Sequence, residues 1–296
     1  PLVICRDCGH RIQCPNCTAW LTEHRRANKL VCHHCGFMTD IPECCPECHS
    51  ESGLTACGPG VERVAEEVRF RFPLARVRVL SSDFTTNFQE VYKVIKETEA
   101  GDVDILIGTQ ILAKGHHFPA LTLVGIVDAD LGLMGSDLRA SERTYQLLSQ
   151  VSGRAGRGEK KGTVYLQTLY PENAVLQALV KGDAAEFLNL EKKSRKILKM
   201  PPFGKLAAII VSGPNPGDTE RTAQWLGQAA FNDANITTLG PAPAPIFMLR
   251  NKYRYRLLLK TTRNIPIQDV LRQWLSKVKP SSSVRVEVDI DPYSFY

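Results

Sequence analysis

Four Cys-x-x-Cys pairs crowd the start of the chain: Cys5/Cys8, Cys14/Cys17, Cys32/Cys35 and Cys45/Cys48. A stretch of about 45 residues with few large apolar side chains cannot bury enough core to hold itself together. Something other than apolar burial must supply its folding energy. Nine of the ten cysteines precede residue 50, and eight of them have knuckle spacing, so metal accounts for them better than a disulfide framework. Each Cys-x-x-Cys turn puts two thiolates on one side of a tight loop, and two such turns complete a tetrahedral zinc site with sulfur about 2.3 Å from the metal. Eight thiolates therefore predict two closed zinc sites per chain with no vacant position for water, which makes the zinc structural and not catalytic.

The spacing orders the pairings. Thr18 to Val31 reads as a ribbon hairpin, which brings Cys14/Cys17 to Cys32/Cys35 and leaves Cys5/Cys8 with Cys45/Cys48 in a nested arrangement. Sequential pairing is the second choice, because it leaves only five residues between the Cys8 and Cys14 knuckles. Cys44 adjoins Cys45 and competes with it, but Cys45 has the knuckle spacing to Cys48. His10, His33, His34 and His49 are alternative ligands, expected to stay exposed or to contact the ligands from outside. Cys57 is expected to be an ordinary buried thiol.

From Gly58 onward strands and helices alternate. Helical spacing covers Val61 to Phe72, Phe88 to Ala100 and Leu138 to Val151. Arg76 to Leu80, Asp104 to Gly108, Leu121 to Val127 and Thr163 to Gln167 read as strands, two of them near-continuous apolar runs of the kind buried parallel strands show. The order predicts an α/β unit whose parallel sheet is covered on both faces, with ligands at the carboxyl ends of the strands. Three polar features are placed at that edge: Gly108-Thr109-Gln110 with Lys114-Gly115-His116-His117, Asp128-Ala129-Asp130, and Gln150 to Arg157.

The last of these is the segment Gln150-Val151-Ser152-Gly153-Arg154-Ala155-Gly156-Arg157. Two arginines three apart among small residues suit a backbone that approaches a polyphosphate, where a planar guanidinium holds two oxygens at once. The plain alternative is a solvated basic loop after a helix. No Gly-x-x-x-x-Gly-Lys-Ser/Thr and no Asp-Glu-x-His occurs in the chain. The arginines are present, but the phosphate-cradling loop and a magnesium carboxylate are not, so the sequence holds half of a nucleotide site.

Glu172 to Met200 reads as a helix with a basic end, broken by Pro201-Pro202. Beyond it come strands at Leu206 to Val211, Tyr253 to Lys260 and Val284 to Asp289, and helices at Thr219 to Phe231 and Ile267 to Val278. They form a small α+β domain, with Gly240 to Pro245 as a stiff extended loop. Arg250, Lys252, Arg254 and Arg256 alternate with Asn251, Tyr253, Tyr255 and Leu257. Strand alternation would put the four cations on one face, a row that attracts phosphates or an acidic peptide or simply solvates the sheet.

At 296 residues the chain is long enough for about two domains plus a small module. The formal net charge of +6 permits nucleic-acid contact without requiring it. The sequence has no apolar run of roughly 18 residues and no signal-peptide pattern, so it reads as soluble, not exported and free of membrane contact. It begins at Pro1 with no methionine, and is expected to be a piece of a longer protein.

These residues together resemble the C-terminal part of the bacterial primosomal replication-restart DNA helicases. The resemblance rests on the four cysteine pairs, Gly108-Thr109-Gln110 with Lys114-Gly115-His116-His117-Phe118-Pro119, Arg139-Ala140-Ser141-Glu142-Arg143, Gln150 to Arg157, and Pro201-Pro202-Phe203. It implies a RecA-like helicase lobe two with a parallel sheet, joined to a two-zinc cysteine-rich module and a C-terminal α+β domain. The corresponding boundaries are 1–54 for the zinc module, 55–170 for the helicase lobe, 171–202 for a helical connector and 203–296 for the last domain. It implies an ATP-dependent, Mg2+-requiring enzyme that unwinds DNA in the 3′ to 5′ direction, binds forked DNA and loads the replicative helicase. This chain alone, without the upstream lobe, would be inactive. By the same resemblance Arg154, Arg157 and Gln150 are catalytic. Gly153, Gly156 and Gly115 keep the backbone near the nucleotide, and Thr109, Gln110 and Lys114 meet single-stranded DNA. Lys252 and Arg256 are the expected contacts to branched DNA and to the acidic tail of the single-strand binding protein. Other primosome proteins are further expected partners of a monomer associated with the nucleoid in the bacterial cytoplasm. The alternative is a non-catalytic zinc scaffold that docks primosome partners at forks.

Overall fold

The computed structural model describes residues 2–24, 28–57, 60–80, 88–109, 118–133, 138–156 and 161–293. Two compact units emerge, one of residues 57–187 and one formed by residues 2–56 together with 188–296. The cysteine-rich segment and the C-terminal domain thus share a unit although the whole α/β region separates them in sequence.

In the 57–187 unit, β6 (Val77–Leu80) pairs in parallel with β7 (Ile105–Gly108), and β8 (Leu123–Ile126) pairs in parallel with β9 (Thr163–Leu166). Helix α1 (Val61–Arg71) precedes β6, while α2 (Phe88–Glu99) and α3 (Ala140–Ser152) are the crossovers of the two pairs. Leu80, Ile95 and Phe118 form one buried cluster, with Val91, Val94, Leu106 and Leu121 packed against it. Ala129, Leu148 and Leu176 form another. Arg76 ties the entries of β6 and β7 together: its guanidinium donates to Asp104 Oδ2 at 3.0 Å and Oδ1 at 2.8 Å, and its main-chain N–H donates to Oδ2 at 2.7 Å. Those bonds hold the Asp104 carboxyl down to about 2.

The stretch expected as one helix over 172–200 is two. Asn173 caps α4 (Ala174–Lys181) by accepting from Val175 N–H, and Gly182 ends it in the left-handed conformation at φ 70°. Asp183 then accepts from Glu186 N–H at 2.8 Å and starts α5 (Ala184–Ile197). Gly182-Asp183 is a C-cap glycine followed by an N-cap aspartate, a stop signal and a start signal side by side.

The second unit contains two sheets. The cysteine-rich part forms a five-stranded sheet of short strands in the order β4-β3-β2-β1-β5, from β1 (Leu2–Cys5), β2 (Thr22–His24), β3 (Lys29–Val31), β4 (Met38–Asp40) and β5 (Leu54–Cys57). The expected hairpin between residues 18 and 31 is β2–β3, with Glu23 opposite Leu30. Cys57, expected to be buried, is exposed at the end of β5. It is the last residue of a short strand, with no apolar layer over it.

The C-terminal domain runs β10 (Gly204–Gly213), α6 (Pro216–Gln228), β11 (Ile236–Leu249), β12 (Lys252–Thr262), α7 (Ile267–Leu275) and β13 (Arg285–Ile290). Its sheet has the order β11-β12-β10-β13 with β10 antiparallel to both neighbours, which is a pair of interleaved split β-α-β units. The core lies between the sheet and α6/α7 and contains Ile209, Val211, Leu226, Leu257, Leu259, Leu271 and Trp274. The segment read as a stiff loop, 240–245, belongs to β11. That strand is at the sheet edge, where proline is tolerated because one side of the strand needs no N–H. Its ladder to β12 is interrupted by irregularities after Leu239 and after Pro243.

Trp274 is fully buried and donates Nε1–H to Leu226 O at 2.8 Å, joining α7 to α6. Trp274→Ala opens a cavity and strands that carbonyl, so the unit should lose about 3–5 kcal/mol. Denaturant unfolding followed by far-ultraviolet dichroism checks this; a loss below about 1 kcal/mol would place the core elsewhere.

Candidate metal centres and arginine turn

The nested pairing is the one the fold assembles. The thiols of Cys5, Cys8, Cys45 and Cys48 lie within 4.8 Å of one another, as do those of Cys14, Cys17, Cys32 and Cys35. Cys44 belongs to neither group. Sulfur–sulfur distances are 3.6 Å for Cys5–Cys48, 3.7 Å for Cys8–Cys45 and 3.6 Å for Cys14–Cys35. Four sulfurs about 2.3 Å from a central ion form a tetrahedron with edges of about 3.8 Å. Both cages therefore have the size and soft donor set that Zn2+ takes. His10 lies 4.0 Å from Glu47, and His24 faces the exposed His33 at 3.4 Å; no histidine belongs to either four-thiol group.

Thiols held this close titrate together. In the second centre, the main-chain N–H of Phe37 leads the causes that draw Cys35 down to about 7, while burial pushes Cys14 up to about 12. In the first centre, Cys45 is drawn down to about 7, led by the N–H of Cys48. In each centre one thiol is drawn down while a close neighbour is pushed up, Cys14 beside Cys35 and Cys48 beside Cys45, and a divalent cation relieves that mutual opposition.

Gly53 was not legible in the sequence as part of this chemistry, yet it closes the first centre. A methyl group there would lie 2.6 Å from Cys5 Sγ, 2.8 Å from Asp7 Oδ2 and 2.9 Å from Ser50 Oγ. Its carbonyl also accepts from Arg6 N–H at 2.8 Å.

The arginine segment begins on the last turn of α3, where Gln150 is exposed. Gly153 caps the helix with its N–H on Ser149 O at 2.9 Å; Arg154, half-buried, follows with its N–H on Val151 O at 3.1 Å. Gly156 takes φ 74° and donates to Leu121 O at 3.0 Å. A methyl group on Gly156 would sit 2.5 Å from Gly162 N, and one on Gly162 would collide with the backbone of Ala155 and Gly156. The turn is thus pinned to the entry of β8 and to the residue preceding β9. The signal for Gly162 is a glycine directly before a strand, opposite the Gly-rich turn.

That position corrects one expectation. The arginine turn lies at the amino end of the β8–β9 pair, while Asp128-Ala129-Asp130 lies at the carboxyl end, so the two do not converge on one edge. A helix that crosses between parallel strands runs back along the sheet, and its last turn must come out where the next strand begins. Asp130, buried, accepts from Thr168 Oγ1 at 2.5 Å and from Leu169 N–H at 2.7 Å, which makes it a clamp between the exits of β8 and β9. Thr109 is exposed at the end of β7 with its N–H on Leu80 O at 3.3 Å. Gln110, Lys114, Gly115 and Arg157 lie outside the described residues.

Lys252 and Arg256 are on β12, Lys252 exposed and Arg256 half-buried. Arg250 is not in their row. With Asn251 it forms the turn between β11 and β12, at φ 52° and 61°. Alternation along β12 places Lys252, Arg254 and Arg256 on the face away from α6 and α7, while Leu257, Leu259 and Thr261 are buried on the other.

Three family descriptions match the chain in sequence order: "PriA DNA helicase Cys-rich region (CRR) domain" over residues 14–39, "Helicase conserved C-terminal domain" over 58–159, and "Primosomal protein N C-terminal domain" over 196–293. The replication restart protein PriA of Rickettsia felis is 46% identical over 296 residues, covering 100% of this chain and 46% of that protein. The chain belongs to the PriA family. PriA proteins of Bacillus subtilis and Haemophilus influenzae are each 37% identical, covering 98% and 99% of this chain and 37% and 40% of those proteins. The chain spans under half the length of these PriA relatives. The helicase match falls on the unit that carries the arginine turn, and the Cys-rich match falls on the second cysteine centre.

Gly53→Ala should cost the protein the ion of its first centre and leave that of the second. Metal analysis after gel filtration reads this directly. Retention of both ions would mean that the Cys5 cage tolerates the added methyl group.

Proposed function

We propose that this chain supplies the second motor lobe, the zinc-bearing module and the C-terminal DNA-facing domain of an ATP-dependent 3′–5′ DNA helicase that restarts replication at forks. The observation that supports the reading most is the arginine turn: Gly156 and Gly162 bring backbone against backbone, so that Arg154 is presented from a fixed loop at the end of α3. A guanidinium on a fixed loop stabilises charge on a transferring phosphoryl group without reorganising. Within the α/β unit Arg154, Arg157 and Gln150 would act on the phosphates, with Gly153, Gly156 and Gly115 allowing close approach. Thr109, Gln110 and Lys114 would follow single-stranded DNA. The nucleotide's phosphate loop and its Mg2+ carboxylates, which the sequence lacks, belong on this reading to the part of the relatives' length outside this chain.

The two cysteine centres would each hold one structural Zn2+. Cys5, Cys8, Cys45 and Cys48 bind the first, and Cys14, Cys17, Cys32 and Cys35 the second. Bound there, the ion ties turns that are distant in sequence into one module. Lys252 and Arg256 would face branched DNA or the acidic tail of a single-strand binding protein, in a monomer working with other primosome proteins in the bacterial cytoplasm. The working division is 1–54, 55–170, 171–202 and 203–296. Among the described residues no helix is long and apolar enough to cross a membrane.

In the full-length protein Arg157→Ala should lower DNA-stimulated ATP turnover by on the order of 10³-fold with a modest loss of ATP binding. Wild-type protein with no DNA-stimulated turnover would instead favour the non-catalytic scaffold. The chain by itself is expected to hydrolyse no ATP, which a steady-state phosphate-release assay checks. Metal analysis should find two zinc ions per chain, one for each cysteine cage; a single ion would break the two-centre reading.

A further inference from the structure

Three of the four cysteine turns close on themselves in the same way. The carbonyl of the first cysteine accepts at 2.9 Å from the residue four positions on: Gly9 onto Cys5, Gly36 onto Cys32, His49 onto Cys45. Those three residues take φ of 76°, 79° and 59°. The following residue gives its N–H to the second cysteine's sulfur: His10 to Cys8, Phe37 to Cys35, Ser50 to Cys48. Each turn therefore satisfies its own donors and cradles its own sulfur.

The Cys14 turn is built differently, because Thr18 stands where the others have glycine or histidine. A β-branched residue resists the left-handed backbone that closure needs, and Thr18 is not among the positive-φ residues. Its N–H goes instead to Met248 O at 2.9 Å, and its Oγ1 accepts from Met248 N–H at 3.0 Å. The sulfur of Cys17 receives the N–H of Arg250 at 3.4 Å, the place that His10, Phe37 and Ser50 fill in the other turns. Asn16 O accepts from Asn251 N–H at 2.9 Å. All these donors and acceptors come from the tip of the β11–β12 hairpin. Leu249, also at this tip, packs on the apolar cluster of Val3, Ile12, Leu21 and Leu30. The arginine side chain adds a bond to His34 O at 3.4 Å.

We propose that the β11–β12 hairpin tip is the missing part of the second metal centre. The Arg250 main-chain N–H holds the Cys17 thiolate, and zinc loading of that centre and docking of the C-terminal domain are one coupled equilibrium. The inference rests on the zinc reading above. The coupling is reciprocal: emptying the second centre frees the hairpin at the start of the Lys252–Arg256 row, and loosening the hairpin weakens the metal. The first centre, whose turns are both self-closed, is outside it. Partners that orient a metal ligand from outside are typically worth about 10–100-fold in metal affinity.

The test uses the whole chain loaded with cadmium-113, which should give two metal signals. A proton–cadmium correlation is expected from the Arg250 amide to the cadmium that Cys14, Cys17, Cys32 and Cys35 share. Its absence, with both signals present, overturns the proposal, whereas fewer than two cadmium signals fails the zinc reading itself. Asn251→Val puts a β-branched residue at φ 61° and opens the turn. It should speed release from the second centre by roughly 10–100-fold and leave the first unchanged. Adding Thr18→Gly lets the Cys14 turn close on itself and should restore retention. Equal acceleration at both centres, no acceleration, or no rescue would each sink the coupling. Should Asn251→Val not fold, the cadmium correlation in the wild-type chain still decides.

Discussion

Eight sulfurs that must be held together against their own repulsion set the plan of the second unit. The five-stranded sheet around them has strands of three or four residues, too short to be stable by pairing alone. Cysteine sulfurs occupy positions where a larger domain would have leucine: Cys5, Cys17, Cys32 and Cys45 are fully buried. The apolar cluster beneath is small, built on Val3, Ile12, Leu21 and Leu30 with three of the cysteines. Such a module would gain its order from charge neutralisation at a bound ion, and the nested connectivity matches the Thr22–Val31 hairpin, which joins the two inner turns while the outer turns share the other group.

The C-terminal domain depends on ordinary burial, and its link to the ribbon is of another kind. At the hairpin tip the currency is main-chain hydrogen bonds: buried peptide groups must be paired, and the Cys14 turn cannot pair its own. A local conflict between a β-branched residue and a left-handed turn is resolved by a segment some 230 residues away in sequence. This also accounts for Arg250 leaving the cationic row, since its backbone is committed to the turn and its side chain to His34 O.

Much of this is legible in the sequence. Knuckle spacing carried the metal ligands and the preferred pairing, because two residues between cysteines fix where the sulfurs point. Apolar runs at 104–108 and 121–127 carried the parallel strands, but the expected cover on both faces fails for the β8–β9 pair, where Leu123 and Tyr165 are exposed on one face. The remainder needed three dimensions. Pro241, Pro243 and Pro245 argue against a strand unless that strand is known to be an edge. Gly182-Asp183 sits inside a stretch whose helical periodicity runs on both sides of it. Gly53 and Gly162 matter only through what approaches them from another segment. The edge at which the arginine turn emerges depends on the direction of a crossover, which periodicity does not encode.

The cationic row is where sequence and structure together narrow the chemistry. Arg256 and Glu287 both lie opposite Ile210, and Arg254 and Arg285 both lie opposite Ser212. The face of the sheet away from the helices therefore has acidic Glu287 and Asp289 two strands from the arginines. A polyanion laid across the four strands at the Arg256 row would meet repulsion from Glu287 on β13, and at the Arg254 row would meet Arg285, whose charge Glu287 already pairs at 3.0 Å. Laid along β12 toward the hairpin tip it would meet Arg256, Arg254 and Lys252 in turn, three cations spaced by two residues on a strand that rises about 3.3 Å per residue. The resulting spacing of about 6–7 Å is close to the phosphate repeat of an extended nucleic-acid strand and equally suits alternate side chains of an extended acidic peptide. Both candidate ligands would thus be read lengthwise along β12 and would end at the turn that the second metal centre holds.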